Sequence, residues 1–266
     1  MTHVVLKKIK DLTNKKNVYF TKRCNESLMI SVKYLSSLLK KSNKFLLTQE
    51  EGGWLTYPKL AKQNGLELVY LKMNNGRIDL TQLKKYSNTI LVMHTMPGYS
   101  YKENVKKIAE ICDKNNILLI NDCCGSIGTK DATYGDLIVC SFGKAKPLSC
   151  GGGGFIATNF DLEKNEFIGD TKETINLKEL NIALDNLNKK LGIWKEKSLE
   201  VKNELKKLGF KILNDGDQGI NVLVSFNDEK ERLIKYLDIK ELEFTKCPRY
   251  IRTNKVALSI EIKRLR

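Results

Sequence analysis

The runs "NTILVMHTM" (88–96), "ILLIND" (117–122), "DLIVCSF" (136–142) and "GFIATN" (154–159) are apolar at most positions. A strand with one face in water alternates apolar and polar residues, whereas a continuous apolar run belongs to a sheet covered on both faces. Helical patterns lie between such runs. "NESLMISVKYLSSLLKK" (25–41) reads as an amphipathic helix capped by Asn25, with Glu26 in its first turn. "KENVKKIAEICDKNN" (102–116) sets Val105, Ile108, Ile111 and Cys112 on one helical face. A short strand "KFLL" (44–47), a helix closed by Gly65 and a strand "LELVYLKM" (66–73) complete the alternation. This order predicts an α/β fold: a three-layer, mostly parallel sheet with helices on both faces. The texture changes after residue 160. A long helical pattern over 176–209, with its expected break at Gly192, leads into "FKIL", "INVLVSF", a helix "DEKERLIKYLD" and a last strand "VALSIEI" (256–262). The expected organisation is a large α/β domain over 1–165, then a linking helix and a small C-terminal α+β domain over 166–266.

Composition narrows the class. With 266 residues, 41% hydrophobic and 29% charged, the chain has the make-up of an ordinary soluble globular protein. No run approaches the roughly 20 apolar residues of a membrane helix. The N-terminal "MTHVVLKKIKDLTNKKN" lacks the apolar core of an export signal. Seven cysteines without disulfide-lattice spacing indicate reduced, cytoplasmic usage. No CxxC occurs and the only histidines are His3 and His94, so no metal motif is present. The net charge of +15 invites anions, but only seven of the 46 basic residues are arginine, and the lysines are spread along helical patterns. Base readout favours arginine, so nucleic acid is not the expected partner.

In an open parallel sheet, ligands bind beyond the carboxyl ends of the strands. Those ends carry Thr21 to Asn25, Gly52-Gly53-Trp54, His94, Asp122 and "SFGKAK" (141–146). Taken singly, each has an ordinary explanation: Asp122 as a turn cap, Trp54 as core, His94 as a neutral buried histidine. Taken together they fit pyridoxal phosphate (PLP). A lysine amine links to the cofactor aldehyde as a Schiff base, a carboxylate holds the proton on the pyridine nitrogen, and a serine with a helix N-terminus takes the phosphate.

"LLINDCCGSIG" followed by "YGDLIVCSFGKAKPLSCGGGGFIAT" resembles fold-type-I PLP enzymes, most closely the sugar aminotransferases of the DegT/DnrJ type. That family has an Asp, two small residues, a polar residue and a glycine, then "GD", an apolar run, "SF" and a lysine five residues after the serine. A glycine pair follows seven and eight residues after the lysine. Both spacings select Lys146 over Lys144 here, with Gly153 and Gly154 as the pair. "KRCNESL" (22–28) is similar to the family's phosphate-binding turn, with Cys24 and Asn25 where a glycine and a threonine are usual. Trp54 stands where an aromatic ring stacks on the cofactor, and "MHTMPG" is similar to the family's "vHlyG". The chain departs from the pattern too. It is shorter than a usual member, Gly152 replaces the acidic residue before the glycine pair, and Gly125 replaces the polar residue three after Asp122. Thr174 stands near the place of the asparagine that reaches the phosphate from a neighbouring chain.

The resemblance implies a PLP-dependent aminotransferase that moves an amino group from an amino acid donor to a keto acceptor, a nucleotide-linked keto-sugar by family likeness, in a homodimer. Lys146 and Asp122 are then catalytic. Ser141, Cys24, Asn25, Trp54, His94 and Gly125 bind the cofactor, and Arg249 and Arg252 hold a donor carboxylate. Lys144 is read as solvated. The competing readings are a PLP-dependent lyase or desulfurase, kept open by Cys123, Cys124, Cys140 and Cys150, and a non-catalytic basic binding protein on the same fold.

Overall fold

The four apolar runs lie side by side in a computed structural model of the protein, which describes residues 1–39, 44–163 and 175–265. From the N-terminus the elements are α1 (Thr2–Thr13), β1 (Asn17–Thr21), α2 (Cys24–Leu38), β2 (Phe45–Gln49), α3 (Tyr57–Gln63) and β3 (Glu67–Leu71). A small hairpin of β4 (Met73–Asn74) and β5 (Arg77–Ile78) and the short α4 (Leu80–Leu83) follow. Then come β6 (Ile90–His94), α5 (Val105–Lys114), β7 (Leu118–Asp122), β8 (Leu137–Ser141) and β9 (Gly154–Thr158). The remainder holds α6 (Leu177–Asp185), α7 (Leu187–Lys207), β10 (Lys211–Ile212), β11 (Val222–Ser225), α8 (Lys230–Ile239), β12 (Phe244–Cys247) and β13 (Ala257–Ile260).

The large sheet has the order β1-β9-β8-β7-β6-β2-β3. Strands β8, β7, β6, β2 and β3 are parallel, and β9 is antiparallel to both of its neighbours. A parallel return needs a crossover of a dozen or more residues, usually a helix, and 142–153 contains none, so β9 comes back antiparallel. Helices α2 and α3 cover one face with Leu28, Val32, Leu35, Leu60 and Ala61. On the other face α1 and α6 pack over Phe20, Ile138 and Phe155, and α5 packs over Leu47, Leu91 and Leu119. Ile90, Leu91, Val92 and Met93 of β6 are each fully buried, as expected of a strand covered on both sides. Burying one such side chain contributes about 1.5–3 kcal/mol.

Two of the differences from the sequence reading have a clear physical reason. Helix α1 has no counterpart in it, because Lys7, Lys8, Lys10 and Asp11 mask a stripe of Val5, Ile9 and Thr13 at four-residue spacing. The long helical pattern breaks at Asn186 and not at Gly192. The Asn186 side-chain amide donates to the Ile182 carbonyl at 2.9 Å and closes α6 there, while Gly192 sits in open space inside α7.

The C-terminal strands form a second, antiparallel sheet in the order β10-β11-β13-β12. Helices α7 and α8 cover it through Trp194, Val201, Leu205, Leu233 and Leu237. The same core takes in Met96 and Tyr99 from the segment after β6. The expected boundary at 165–166 and Thr174 lie outside the described residues. Among the described residues, no helix is long and apolar enough to cross a membrane.

Candidate active site

Parallel pairing sets three strand ends beside one another. His94 is in register with Asp122, Asp122 is in register with Val139, and Ser141 closes β8 two residues later. The start of α2 approaches from the other side, where Arg23 bridges to Gly153. A Cβ on Gly154 would lie 2.7 Å from the Cys140 carbonyl oxygen and 3.0 Å from the Cys24 nitrogen. Glycine is therefore what lets β9 enter the sheet against the beginning of α2. Beyond these ends opens a pocket of about 220 Å³. Lys146, Asp122, Ser141, Cys24, Asn25, Trp54 and His94, all named from the sequence, line it together with Arg23, Tyr99 and Cys124.

The polar groups of the pocket are held from behind. Asp122 Oδ2 accepts from the buried Tyr57 hydroxyl at 2.8 Å, and Oδ1 accepts from the Cys124 N–H at 3.1 Å. A carboxylate has about four acceptor sites, so room remains for a further donor. The His94 N–H donates to Gln49 Oε1 at 2.8 Å, while the Gln49 side-chain amide donates to the His94 carbonyl at 3.0 Å and to Glu103 at 2.9 Å. That glutamine clamps the ends of β2 and β6 together. His94 Nδ1 accepts the Met96 N–H at 3.1 Å, which leaves the ring proton on Nε2. Burial, against the pull of Asp122, lowers the histidine to about 4, so it is neutral. Its Nε2 is buried and has no hydrogen-bond partner. Ser141 Oγ accepts the Gly143 N–H at 3.1 Å and keeps its own proton free to donate. The Trp54 indole N–H donates to Asn25 Oδ1 at 2.7 Å and ties the ring to the first turn of α2.

Lys146 Nζ contacts the Tyr99 hydroxyl and lies 4.3 Å from the centre of that ring. Burial disfavours its ammonium, but Tyr99, Cys124 and Asp122 outweigh burial and hold the lysine above its ordinary value. Tyr99 is itself pushed up to about 12, by burial and against the pull of Lys146. Lys190 Nζ donates to the Lys146 carbonyl at 2.9 Å and pins the backbone of that turn.

Three residues named from the sequence do not line the pocket. Gly125 lies just behind it, where a Cβ would come within 3.0 Å of the Tyr99 ring and 3.4 Å of His94. Arg249 is exposed and does not line the pocket. Arg252 is buried and committed to Glu261, Nε to Oε1 at 3.0 Å and Nη2 to Oε2 at 3.2 Å. The bidentate fork thus meets a carboxylate of the chain itself. Sequence reasoning missed Tyr57, Gln49 and Tyr99. Tyr99 had a signal, because it follows Pro97-Gly98 at a strand end. Tyr57 and Gln49 had none, since their roles depend on which strand lies beside which.

None of the seven cysteines is exposed. Burial raises Cys123, Cys140 and Cys150, so these thiols are poor nucleophiles at neutral pH.

A cysteine desulfurase IscS of Buchnera aphidicola subsp. Baizongia pistaciae is 30% identical over 120 residues, which is 42% of this chain and 30% of that protein. The lipopolysaccharide biosynthesis protein RfbH of Salmonella typhimurium is 32% identical over 117 residues, 40% of this chain and 26% of that protein. The matched stretches thus span less than a third of these relatives' own length. In fold, the chain superposes on a DegT DnrJ EryC1 StrS aminotransferase from Brucella abortus with a TM-score of 0.74 and 14% identity, over 98% of this chain and 84% of that one. Residues 8–169 match the sequence model of one family, and that stretch holds every residue lining the pocket: the chain belongs to the DegT/DnrJ/EryC1/StrS aminotransferase family.

Proposed function

We propose that the protein is a PLP-dependent aminotransferase that takes an amino group from an amino acid and delivers it to a keto compound, a nucleotide-linked keto-sugar being the acceptor class. The observation that carries this reading is the convergence of Lys146, Asp122, Ser141 and the N-terminus of α2 on one pocket. The residues fit the cofactor. A buried N–H on His94 lacks a partner, the Asp122 carboxylate keeps an open acceptor site, and the first turn of α2 offers backbone N–H groups to a phosphate.

When bound, the cofactor supplies an aldehyde that links to amines and a ring that takes up the electron pair released at the donor's α-carbon. Lys146 Nζ would carry the covalent link and would move the α-carbon proton of the donor. Asp122, oriented by Tyr57, would keep the proton on the ring nitrogen. Ser141 Oγ and the Cys24–Asn25 turn would hold the phosphate, and Trp54 would give the cofactor an aromatic wall. Arg23 is the arginine that lines the pocket, and it replaces Arg249 and Arg252 as the guanidinium for the donor carboxylate. Cys123, Cys140 and Cys150 are buried and do not line the pocket, which weighs against their taking sulfur from a substrate there.

The test is a titration of the PLP-loaded protein with amino acids. The visible absorbance of the bound cofactor is expected to disappear with at least one donor and to return on adding a keto acid. Release of sulfide and alanine from cysteine, with no reversible conversion by any donor, replaces this reading with a desulfurase.

A further inference from the structure

Cys24 and Cys124 stand 100 positions apart in the chain, yet their sulfurs lie 3.6 Å from each other at the start of α2. With a carboxylate oxygen of Asp122 they give three ligand atoms within 4.8 Å of one another. A tetrahedral zinc site with bonds near 2.3 Å spaces two sulfurs about 3.8 Å apart. The thiol pair already has about that spacing. The outer contacts match as well. Cys124 Sγ accepts the Ser141 N–H at 3.1 Å, which fixes the direction of that sulfur. Asp122 is oriented by the Tyr57 hydroxyl and the Cys124 N–H, as ligating carboxylates generally are. All three residues line the pocket, so a fourth ligand position faces open space. Lys146 and Arg23 line the same pocket and offset the negative charge of two thiolates and a carboxylate.

We propose that Cys24, Cys124 and Asp122 form a site for a thiophilic divalent cation of the zinc class, and that its occupancy excludes the cofactor. Two metal–sulfur bonds replace two S–H bonds, both protons leave to water, and nothing is oxidised or reduced. The metal site stands on the geometry of the three ligands alone. The exclusion rests on the function proposed above, because Asp122 cannot serve a cation and a ring nitrogen at once.

The test uses the purified full-length chain, free of cofactor, titrated with Co²⁺ alone and then with Zn²⁺ as competitor. One equivalent of Co²⁺ is expected to bind with thiolate-to-metal charge-transfer absorbance in the near ultraviolet, and Zn²⁺ to abolish that band. Cys24→Ser and Cys124→Ser each weaken binding by about tenfold or more, at least the loss that follows removal of an outer contact. Cys112→Ser, which alters a cysteine buried under α5, leaves the affinity unchanged. Near-ultraviolet circular dichroism of each variant shows that the fold is retained. Cobalt bound without the charge-transfer band overturns the site, as does binding that survives in the double variant Cys24→Ser/Cys124→Ser. In the second arm the chain is loaded with PLP first. Zinc bound with unchanged affinity to the loaded chain overturns the exclusion. A chain that binds cobalt through both thiols but takes up no PLP supports the site and overturns the proposed function.

Discussion

Two lysines approach the same tyrosine ring from two regions of the molecule. Lys146, on the turn after β8, has its Nζ 4.3 Å from the Tyr99 ring centre, and Lys263, just past β13, has its Nζ 4.6 Å from it. Both are shielded from water, but their surroundings differ. Lys263 lines a different groove, and its Nζ is taken up by the chain itself, contacting Glu261 and donating to Asn221 Oδ1 at 2.9 Å. Its carboxylate partner is shared with the buried Arg252 and, at 3.8 Å, with the exposed Arg264, so three cations face one anion. Burial, together with Arg252 and against the pull of Glu261, lowers Lys263 to about 7. Lys146 is instead held above its ordinary value and faces a pocket. The contrast teaches that a buried lysine is not in itself a sign of chemistry. Lys263 is stapled into the second sheet, while Lys146 reaches open space with a carboxylate, a neutral histidine and a helix start around it.

The largest expected effect comes from exchanging the two lysines' fates. Lys146→Ala is expected to abolish covalent capture of PLP, read by borohydride reduction and peptide mapping. Lys263→Met keeps Arg252 as the partner of Glu261 and leaves capture at Lys146 intact. Trapping on Lys144, or loss of trapping in a folded Lys263→Met, breaks the comparison.

The next effect falls on the second region. Glu261→Gln leaves Arg252 and Lys263 buried without a counter-charge, and breaking a buried pair in this way costs about 3–5 kcal/mol. A lower urea midpoint with an unchanged slope is the expected readout. Burial favours protonated Glu261, but Lys263 and Arg252 prevail and hold it down to about 2. That is below the ordinary carboxylate value of about 4.3. Its contribution to stability is therefore present above the ordinary value and lost as pH falls through it toward 2. The Gln variant should lose that part of the acid sensitivity. An equal slope in both proteins over this range removes Glu261 from the account.

A smaller change in free energy, but at the first site, is expected from Asp122→Asn. The neutral amide cannot hold a proton on the ring nitrogen, so the rate of donor conversion should fall about a hundredfold, on the scale of losing one preorganised group. The cofactor should remain bound. A rate near that of the unchanged protein takes Asp122 out of the mechanism.

The sheet and the pocket were legible to different depths. Apolar runs at 117–122 and 136–142 marked β7 and β8 because a doubly covered strand leaves no choice of residue. Lys146 was chosen by spacing, and Asp122, Ser141 and His94 by position at strand ends. What could not be read depended on pairing in space. Tyr57 finds Asp122 across 65 residues, and Cys24 finds Cys124 across 100, so neither pair leaves a local motif. The commitment of Arg252 could not be read for the same reason: its partner Glu261 sits nine residues on, across a turn and a strand. Arginine spacing alone does not distinguish a substrate carboxylate from one in the chain.

The smallest expected effect concerns the run "SFGKAKPLSCGGGG" (141–154), where two lysines, and the four consecutive glycines that end it, look alike in sequence but not in structure. Lys144 is exposed and lines a separate groove with Lys190, Trp194 and Arg264. Lys144→Ala should shift stability by less than about 0.5 kcal/mol, as surface substitutions usually do, and leave PLP capture unchanged. A Cβ on Gly152 would meet nothing within 4 Å, and its backbone is not left-handed, so Gly152→Ala should be equally silent. Gly154→Ala should not, because its Cβ would press on the backbone of β8 and on the start of α2 together, at 2.7 and 3.0 Å. Thermal melting and PLP capture on the three variants decide the matter. A Lys144→Ala protein that melts normally but no longer captures PLP would show that the groove outside the pocket takes part in loading it, and the division between the two lysines of this turn would fail.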